Sequence, residues 1–284
     1  MTGMLRIILN ASGLYDFGVR PFSDISDRLL NCMAKGRLPK DPRSIISVLF
    51  PYKVPVEQGN LSRYAAVPDY HEIAGHMLST AVSALEKAFG KDFEFVWFVD
   101  NSPIPEVYTA AKCGLGVIGD NGLLINSKYG SYCFIGSIVT SLVIPSTSDG
   151  VIGECRHCGR CIRSCPGGAL SSEGGFDRKL CLSDISQRKG ELSPDEAALL
   201  RKGGLVWGCD TCQNVCPMNV DAADTYIEPF LARANPSVSM DDLASANDRA
   251  YLYRGRGVVE RNIRMLGEFG LEDIPDSSTD PHNM

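Results

Sequence analysis

Cysteines are the residues of this sequence whose type and spacing most clearly indicate chemistry. The chain has 284 residues and 11 cysteines, eight of which lie between Cys155 and Cys216. The first four of these follow C-x-x-C-x-x-C-x-x-x-C and are followed by Pro166. Bacterial proteins that hold two 4Fe–4S clusters use this spacing, and its fourth cysteine serves the other cluster. Cysteines crowded in this way indicate metal or redox chemistry rather than disulfides in an intracellular chain.

A second run is one cysteine short of the same pattern. It consists of Cys209, Cys212 and Cys216, followed by Pro217. Cys181 can supply the missing ligand through a long loop, and an exchange of the fourth cysteines then completes two sets of four. The set for cluster A is Cys155, Cys158, Cys161 and Cys216. The set for cluster B is Cys181, Cys209, Cys212 and Cys165.

Two structural zinc sites are the alternative, because C-x-x-C pairs also bind zinc. Zinc requires neither the third closely spaced cysteine nor the two Cys-Pro endings, so the pattern favours two 4Fe–4S clusters. His157 lies inside the first run and is interpreted as a loop residue or a hydrogen-bond donor, because the ligand count is full. Cys32, Cys113 and Cys133 lie outside both sets. Cys133 in an apolar strand is expected to be buried packing, and Cys113 is also interpreted as structural.

Residues 1–148 are predicted to mix helices and strands. Ser44–Phe50 and Phe93–Val99 are short apolar runs that predict strands. Between them, Asp69 and Glu72 predict a capping box that starts a helix, and Gly90 is expected to end it.

Further along the chain, residues 105–112 suit a short helix, and Tyr132–Ile144 is expected to form one or two strands. The polar segment Pro145–Gly153 is the candidate linker. Residues 149–222 are then expected to form a loop-rich module folded around its metals. Residues 223–284 are predicted to be a helical tail whose last part, Asp273–Met284, is frayed.

A glycine-rich loop follows the predicted short helix. Gly114, Gly116 and Gly119 match G-x-G-x-x-G, but a helix precedes the loop and an apolar β-like run follows it. Dinucleotide binding requires the opposite order, so NAD binding by this loop is rejected. Two interpretations stay open, namely close approach of another large ligand and an ordinary tight turn.

Asp100 is the carboxylate that most suggests catalysis. It ends the apolar strand FEFVWFV, and ligands of α/β layers bind at the carboxyl ends of strands. A carboxyl group near apolar walls tends to have a raised pKa and can act as a general acid. The alternative is a turn cap, which the residues alone favour.

Composition limits the remaining functions. The chain is 44% hydrophobic and 22% charged, as expected for a globular protein, and no apolar run approaches the roughly 20 residues of a membrane helix. We expect no signal peptide, no membrane contact and a cytoplasmic location. The net charge of −6 argues against a mainly electrostatic nucleic-acid binder. Local clusters of basic residues could still contact phosphate, and these are Lys35, Arg37, Lys40, Arg43, Arg254, Arg256, Arg261 and Arg264.

Taken together, these segments resemble the epoxyqueuosine reductases over about residues 44–264. The blocks that carry the resemblance are SRYAAVPDYHEIA, FVDNSPIPEVYTAAKCGLGVIGDNGLLIN, GSYCFIGSIVTSL, the two cysteine runs and GCDTCQNVCPMN. The ferredoxin run alone occurs in many proteins, whereas the patterns F-V-D-x-x-P, G-L-G-x-x-G and R-Y-A-x-x-x-D-Y-H within these blocks are specific to the family.

The resemblance implies an α+β chain with three parts. An N-terminal α/β domain, residues 1–148, would bind cobalamin and substrate, and a ferredoxin-like module with two 4Fe–4S clusters and the helical tail would follow. Single electrons would come from a ferredoxin or flavodoxin, and the enzyme would reduce epoxyqueuosine to queuosine in tRNA, most simply as a monomer. Asp100 would be the general acid. The residues that would lie near the corrin are Arg63, Tyr64, Asp69, Tyr70, His71, Gly114, Gly116 and Gly119.

Some positions depart from the family pattern. Val117 stands where the family usually has tryptophan, and Asp120 stands where it usually has lysine. Many members continue into a helical-repeat domain, so the chain resembles a short form without those repeats. Two other functions stay open: a related corrinoid reductase of another substrate or corrinoid partner, and a two-cluster electron-transfer protein.

Overall fold

The computed structural model describes residues 2–267 of the chain. Its strands are β1 (Phe17–Pro21), β2 (Ser44–Pro51), β3 (Phe95–Val99), β4 (Val117–Ile118), β5 (Leu124–Ile125) and β6 (Cys133–Thr140). Its α-helices are α1 (Thr2–Ala11), α2 (Arg63–Ala66), α3 (Tyr70–Phe89), α4 (Glu106–Lys112), α5 (Arg160–Arg163), α6 (Leu182–Ser186), α7 (Pro194–Gly203), α8 (Thr211–Asn214), α9 (Glu228–Ala232), α10 (Met240–Ser245) and α11 (Arg256–Gly267). Short 3₁₀ helices span Phe22–Asp24, Ser26–Arg28, Met33–Arg37, Arg178–Leu180, Pro217–Asn219 and Ala250–Arg254.

A four-stranded antiparallel sheet forms the centre of the N-terminal part. Its strand order is β1-β2-β6-β3. Every residue of β2 is buried, which explains why its sequence is a continuous apolar run rather than an alternating one. The prediction of a strand at Ser44–Phe50 is confirmed. The stretch Tyr132–Ile144 contains a single strand, β6, which pairs with β2 over its full length and with β3 over Gly136–Thr140.

Both faces of this sheet are covered. Ile46 and Val48 point to the face that packs on α1 and α3, where Leu5 and Leu78 meet them. The neighbouring Ile45 belongs to the other face, which packs under the segment 22–38. This alternation follows from the two-residue period of a strand.

Helix α3 begins where the sequence predicts and ends at Gly90, which has a φ of +93°. The Asp69 carboxylate accepts a hydrogen bond from the backbone N–H of His71 at 2.9 Å. The predicted capping box with Glu72 is wrong, because Asp69 turns toward His71, whose ring Nδ1 lies 2.7 Å away. Asp69 therefore has a second role besides capping.

The cysteine-rich part is attached to the N-terminal part by buried polar contacts. The Asp210 carboxylate accepts hydrogen bonds from the backbone N–H of Arg63 at 2.7 Å and from Gln58 at 3.1 Å. Gln213 accepts hydrogen bonds from the hydroxyls of Tyr52 and Ser131. The two parts are therefore joined by specific contacts.

The candidate linker Pro145–Gly153 is irregular but packed. Thr147 Oγ1 accepts a hydrogen bond from Val19 N–H at 2.8 Å, and Lys112 donates to the Gly150 carbonyl at 2.9 Å. The segment therefore runs along the N-terminal part, and the predicted domain limits stay a prediction.

The C-terminal helices close a second core around the buried Trp207. Leu61 from the N-terminal part packs there with Tyr251 and Val259 from the predicted tail. The predicted frayed end, Asp273–Met284, lies outside the described residues. Within residues 2–267, no helix is both long enough and apolar enough to span a bilayer.

Candidate active site

The eight predicted ligand cysteines line two cavities. One cavity is lined by four of them, namely Cys155, Cys158, Cys161 and Cys216. A second cavity of about 320 Å³, here called the central cavity, is lined by the other four, namely Cys165, Cys181, Cys209 and Cys212. This is the division that the crossed pattern of the sequence predicts, and none of the eight forms a disulfide. Their role as cluster ligands stays a prediction.

Tight turns direct backbone N–H groups at the sulfur atoms. His157 donates its backbone N–H to Cys155 Sγ at 3.3 Å, and Ala169 donates to Cys165 Sγ at 3.2 Å. Hydrogen bonds to sulfur are one means by which proteins set the potential of an iron–sulfur cluster. The local structure therefore suits thiolates that carry negative charge.

The thiols of the central cavity are the more deeply enclosed set. Burial, followed by the nearby Cys209 and Cys181 thiols, raises the pKa of Cys212 to about 12. A metal ion would replace the proton of such a thiol, and soft sulfur ligands suit zinc and iron–sulfur clusters. Cys158, in contrast, is exposed, so the cavity that it lines lies at the surface and is here called the surface cavity.

Aromatic side chains form the remaining walls of the central cavity. Tyr52, Tyr64 and Phe134 line it together with Cys133. Cys133 was predicted as simple packing, but the structure places it at this wall. The Arg63 guanidinium carbon lies 5.7 Å from the centre of the Tyr132 ring.

The glycine-rich loop is required by packing within the chain. A Cβ atom on Gly116 would lie 2.5 Å from the carbonyl oxygen of Ile125, and Gly114 has a φ of +77°. Gly119 lines the cavity with Cys155. A tight-turn role accounts for Gly114 and Gly116, and their contact with a cofactor stays a prediction.

An acid cluster lies at the end of β3 and the start of α3. The His71 ring joins two carboxylates, since its Nδ1 lies 2.7 Å from Asp69 Oδ1 and its Nε2 lies 3.2 Å from Asp100 Oδ2. The Tyr70 hydroxyl donates to the same Asp100 oxygen at 2.8 Å. The Tyr70 ring stacks on Phe134, with 4.0 Å between the ring centres. Phe134 thereby connects the acid cluster to the wall of the central cavity.

The proton of this cluster resides on the imidazole. Hydrogen bonds to Asp100 and Asp69 raise the pKa of His71 to about 9. The hydrogen bond from His71 holds the pKa of the Asp100 carboxyl well below its usual range. The expectation that apolar walls raise the pKa of Asp100 is therefore wrong, because its charged partner outweighs burial. Asp100 and His71 titrate as one coupled pair.

The loop after β3 has an unusual backbone. Asp100 and Asn101 have φ values of +48° and +29°, a region that side-chain-bearing residues rarely occupy. The rule that ligands bind at the carboxyl ends of strands applies to parallel sheets, and this sheet is antiparallel. The position of Asp100 is set instead by its loop, which the Leu30 N–H holds by donating to the Pro103 carbonyl at 2.8 Å.

Two carboxyl groups near the site, those of Glu106 and Asp210, are not among the residues that the sequence predicts. Burial, followed by the charge of Asp100, raises the pKa of Glu106 to about 8. Burial raises the pKa of Asp210 to about 6. The sequence feature that could have identified them is their position inside otherwise apolar or cysteine-rich motifs, because a buried acid there needs a specific partner.

Asp120, which stands where the family usually has lysine, lies beside the surface cavity. Its carboxylate is 2.7 Å from His157 Nδ1. In this chain the reversed charge therefore has a local partner, and His157 makes the side-chain contact expected of a loop residue near the cysteines.

The two basic clusters differ in their surroundings. Lys35, Arg37, Lys40 and Arg43 are exposed. Arg37 donates to the carbonyl of Trp97 in β3, so this cluster borders the Asp100 loop. In the C-terminal run, Arg256 donates to the Leu243 carbonyl, and Arg261 donates to the Arg188 carbonyl at 2.7 Å. These two arginines therefore join α11 to α10 and to the segment after α6.

Two family models match this chain, one in its N-terminal part and one in its cysteine-rich part. Residues 35–101 match the family model for "Epoxyqueuosine reductase QueG, DUF1730". Residues 154–219 match the model for a "4Fe-4S double cluster binding domain". An epoxyqueuosine reductase of Lactococcus garvieae is 32% identical over 243 residues, which are 79% of this chain and 68% of that protein. One of Gloeobacter violaceus is 33% identical over 238 residues, 79% of this chain and 73% of its own.

Solved structures show the same fold. Epoxyqueuosine reductase from Streptococcus thermophilus superposes with a TM-score of 0.79 at 22% identity, over 94% of this chain and 80% of that one. An epoxyqueuosine reductase bound to an epoxyqueuosine-modified stem loop of tyrosine tRNA superposes with a TM-score of 0.76 at 20% identity, over 93% and 80%. The expected α+β class is confirmed.

Proposed function

The chain belongs to the epoxyqueuosine reductase family, and we propose that it reduces epoxyqueuosine to queuosine in tRNA with two 4Fe–4S clusters and cobalamin. Conversion of an epoxide to an alkene takes up two electrons and two protons and releases water. The site must therefore place a proton donor beside electron carriers. The observation that carries the proposal is that the Asp100–His71 pair adjoins a cavity lined by four cysteines, through the stacked rings of Tyr70 and Phe134.

The residues present fit these cofactors in chemical kind. Each cavity offers four thiols without disulfides, which is the ligand count of one cluster. Tyr52, Tyr64 and Phe134 give the central cavity the aromatic walls that suit a flat macrocycle. When bound, the clusters and the cobalt would supply single electrons and a strongly reducing metal centre.

The chain itself supplies the proton. His71 holds it at Nε2 and donates it toward Asp100 Oδ2, while Asp69 stabilises the imidazolium from the other side. The Asp100 side chain is 56% exposed, so it can meet an oxygen atom that develops negative charge. Asp100 is thus the group that touches the substrate, and His71 is its source of protons.

The exposed basic cluster supports a tRNA substrate. Lys35, Lys40 and Arg43 lie beside the segment that pins the Asp100 loop, and cations at such a place position phosphates without reading bases. The arrangement lets the anticodon loop enter from this side.

We propose a ferredoxin or flavodoxin as the electron donor. The exposed Cys158 marks the surface cavity as the point where a donor can approach. Action as a monomer stays a prediction.

The test compares Asp100→Ala with Asp92→Asn. Asp92 is an exposed aspartate just before β3, at the opposite end of the strand from Asp100. Both are reconstituted anaerobically with iron, sulfide and cob(II)alamin and given a modified anticodon stem-loop. We expect Asp100→Ala to keep both clusters and the cobalamin EPR signal but to lose about 10²- to 10⁴-fold in turnover, whereas Asp92→Asn stays active.

Other outcomes would redirect the proposal. A cobalamin EPR spectrum that the wild type leaves unchanged would indicate an electron-transfer protein. Cobalamin binding without reduction of the stem-loop would indicate a different substrate. Full turnover by Asp100→Ala would remove the general-acid role.

A further inference from the structure

Glu106 is a partly buried carboxyl group that the proposed proton path does not use. It lies in the first turn of α4, directly beneath the loop that carries Asp100. Its Oε1 accepts a hydrogen bond from the Ser102 hydroxyl at 3.4 Å, and its carboxyl lies near enough to Asp100 for that charge to act on it. The side chain thus contacts the first buried residue of the loop that follows the acid.

The loop needs such support. Two successive residues with positive φ, Asp100 and Asn101, each cost on the order of 1–3 kcal/mol unless the surroundings determine their conformation. Ser102 and Ile104 are buried and tied together, since the Ile104 N–H donates to Ser102 Oγ at 3.2 Å. From the other side, the Leu30 N–H holds the Pro103 carbonyl. Glu106 adds a contact from α4 to the Ser102 hydroxyl.

The charge state of Glu106 suits this role. Burial and the charge of Asp100 raise its pKa to about 8, so at neutral pH it adds no second negative charge beside the acid. The charged groups that act on it are Asp100 and His71. Tyr70 is the further titratable neighbour whose pKa Glu106 affects.

We propose that Glu106 is a positioning residue that holds the Asp100 loop against His71 by binding the Ser102 hydroxyl, two residues after Asp100. The proposal goes beyond the residues of the proton path. Its expected effect on turnover rests on the proposed function. The contact between Asp100 and His71 can be measured without substrate, so the two proposals fail separately.

The experiment is an NMR titration of the His71 ring in the full-length holoenzyme, with the signal assigned through His71→Gln. Wild type should titrate at about 9. Asp100→Ala should lower the pKa of His71 toward the ordinary value of about 6.5. Glu106→Ala should produce at least half of that shift, because the loop no longer holds Asp100 in place. Glu106→Gln, which can still accept a hydrogen bond from the Ser102 hydroxyl, should titrate like wild type.

Two further variants separate positioning from a general loss of structure. The double variant Glu106→Ala with Asp100→Ala should titrate like Asp100→Ala alone, since Glu106 acts through Asp100. Glu86→Ala on the exposed side of α3 is the matched control and should leave His71 unchanged. If Glu106→Ala does not fold, Glu106→Leu fills the same volume and carries the same expectation.

Turnover gives the second readout. We expect Glu106→Ala to lower kcat on the order of 10- to 100-fold with little change in KM, because the acid is displaced while the tRNA contacts remain. An unchanged pKa of His71 in Glu106→Ala would overturn the proposal. So would an equal shift in Glu106→Gln, because the effect would then come from charge rather than from the contact.

Discussion

The cysteine cavities and the acid cluster are assembled in opposite ways. The surface cavity takes three of its four cysteines from one short run, and the central cavity takes two of its four from the other run. The acid cluster joins Asp69 and His71, at the start of α3, with Asp100 on a strained loop 29 residues beyond His71. The first arrangement is encoded by spacing. The second arrangement depends on tertiary contacts. The protonation state of His71 and of the two carboxyl groups depends on the same contacts.

The largest expected effect lies in the cysteine cavities. Cys212→Ser should lose about half of the bound iron and all turnover, since a 4Fe–4S cluster needs four thiolates. Cys32→Ser, outside both sets, is the matched control and should keep iron and activity. Iron and sulfide analysis with visible absorption decides the matter. Full iron content in Cys212→Ser would contradict the assignment of cluster B.

Much of the local structure could be predicted from the sequence. The strand at Ser44–Phe50 and the helix that starts after Asp69 follow from short-range patterns. The division of eight cysteines between two sites follows from the spacing within two separate runs and the exchange of their fourth cysteines.

The properties that the sequence did not reveal depend on distant partners. The pKa of Asp100 is lowered rather than raised, because His71 lies against it only in the folded chain. Gly116 serves close packing against Ile125, which spacing alone could not separate from ligand approach. Cys133 lines the central cavity although its apolar run suggested plain packing.

The acid cluster should give turnover a dependence on pH that the cysteines do not. His71 has a pKa raised to about 9, so its proton is present at neutral pH and is lost as pH rises through that value. We expect the rate to be level near pH 7 and to fall about tenfold per pH unit above about 9. The contribution of His71 to stability has the same sign. It is complete below the unfolded-state value of about 6.5 and is lost as pH rises through about 9.

His71→Gln checks this assignment. The variant should turn over about 10²-fold more slowly and should lack the decline at high pH, since Asp100 has lost its source of protons. His76→Gln, in the same helix but outside the acid cluster, is the control. A decline at high pH that persists in His71→Gln would place the titrating group elsewhere and would remove the contrast between the two regions.

The smallest expected effect is that of changing Asp120, a residue outside the cysteine runs whose side chain contacts one of them. Asp120 comes from the glycine-rich loop and pairs with His157 at 2.7 Å, but the His157 side chain is 59% exposed. Solvent screens such a pair, so Asp120→Asn should change the free energy of unfolding by about 0.5 kcal/mol or less and leave both clusters in place. Asp120→Lys, which places the usual residue of the family here, should cost slightly more at low salt and nothing extra at high salt. Chemical denaturation with iron analysis measures both. Loss of iron in Asp120→Asn would mean that the surface cavity, like the acid cluster, depends on a contact from a distant part of the chain.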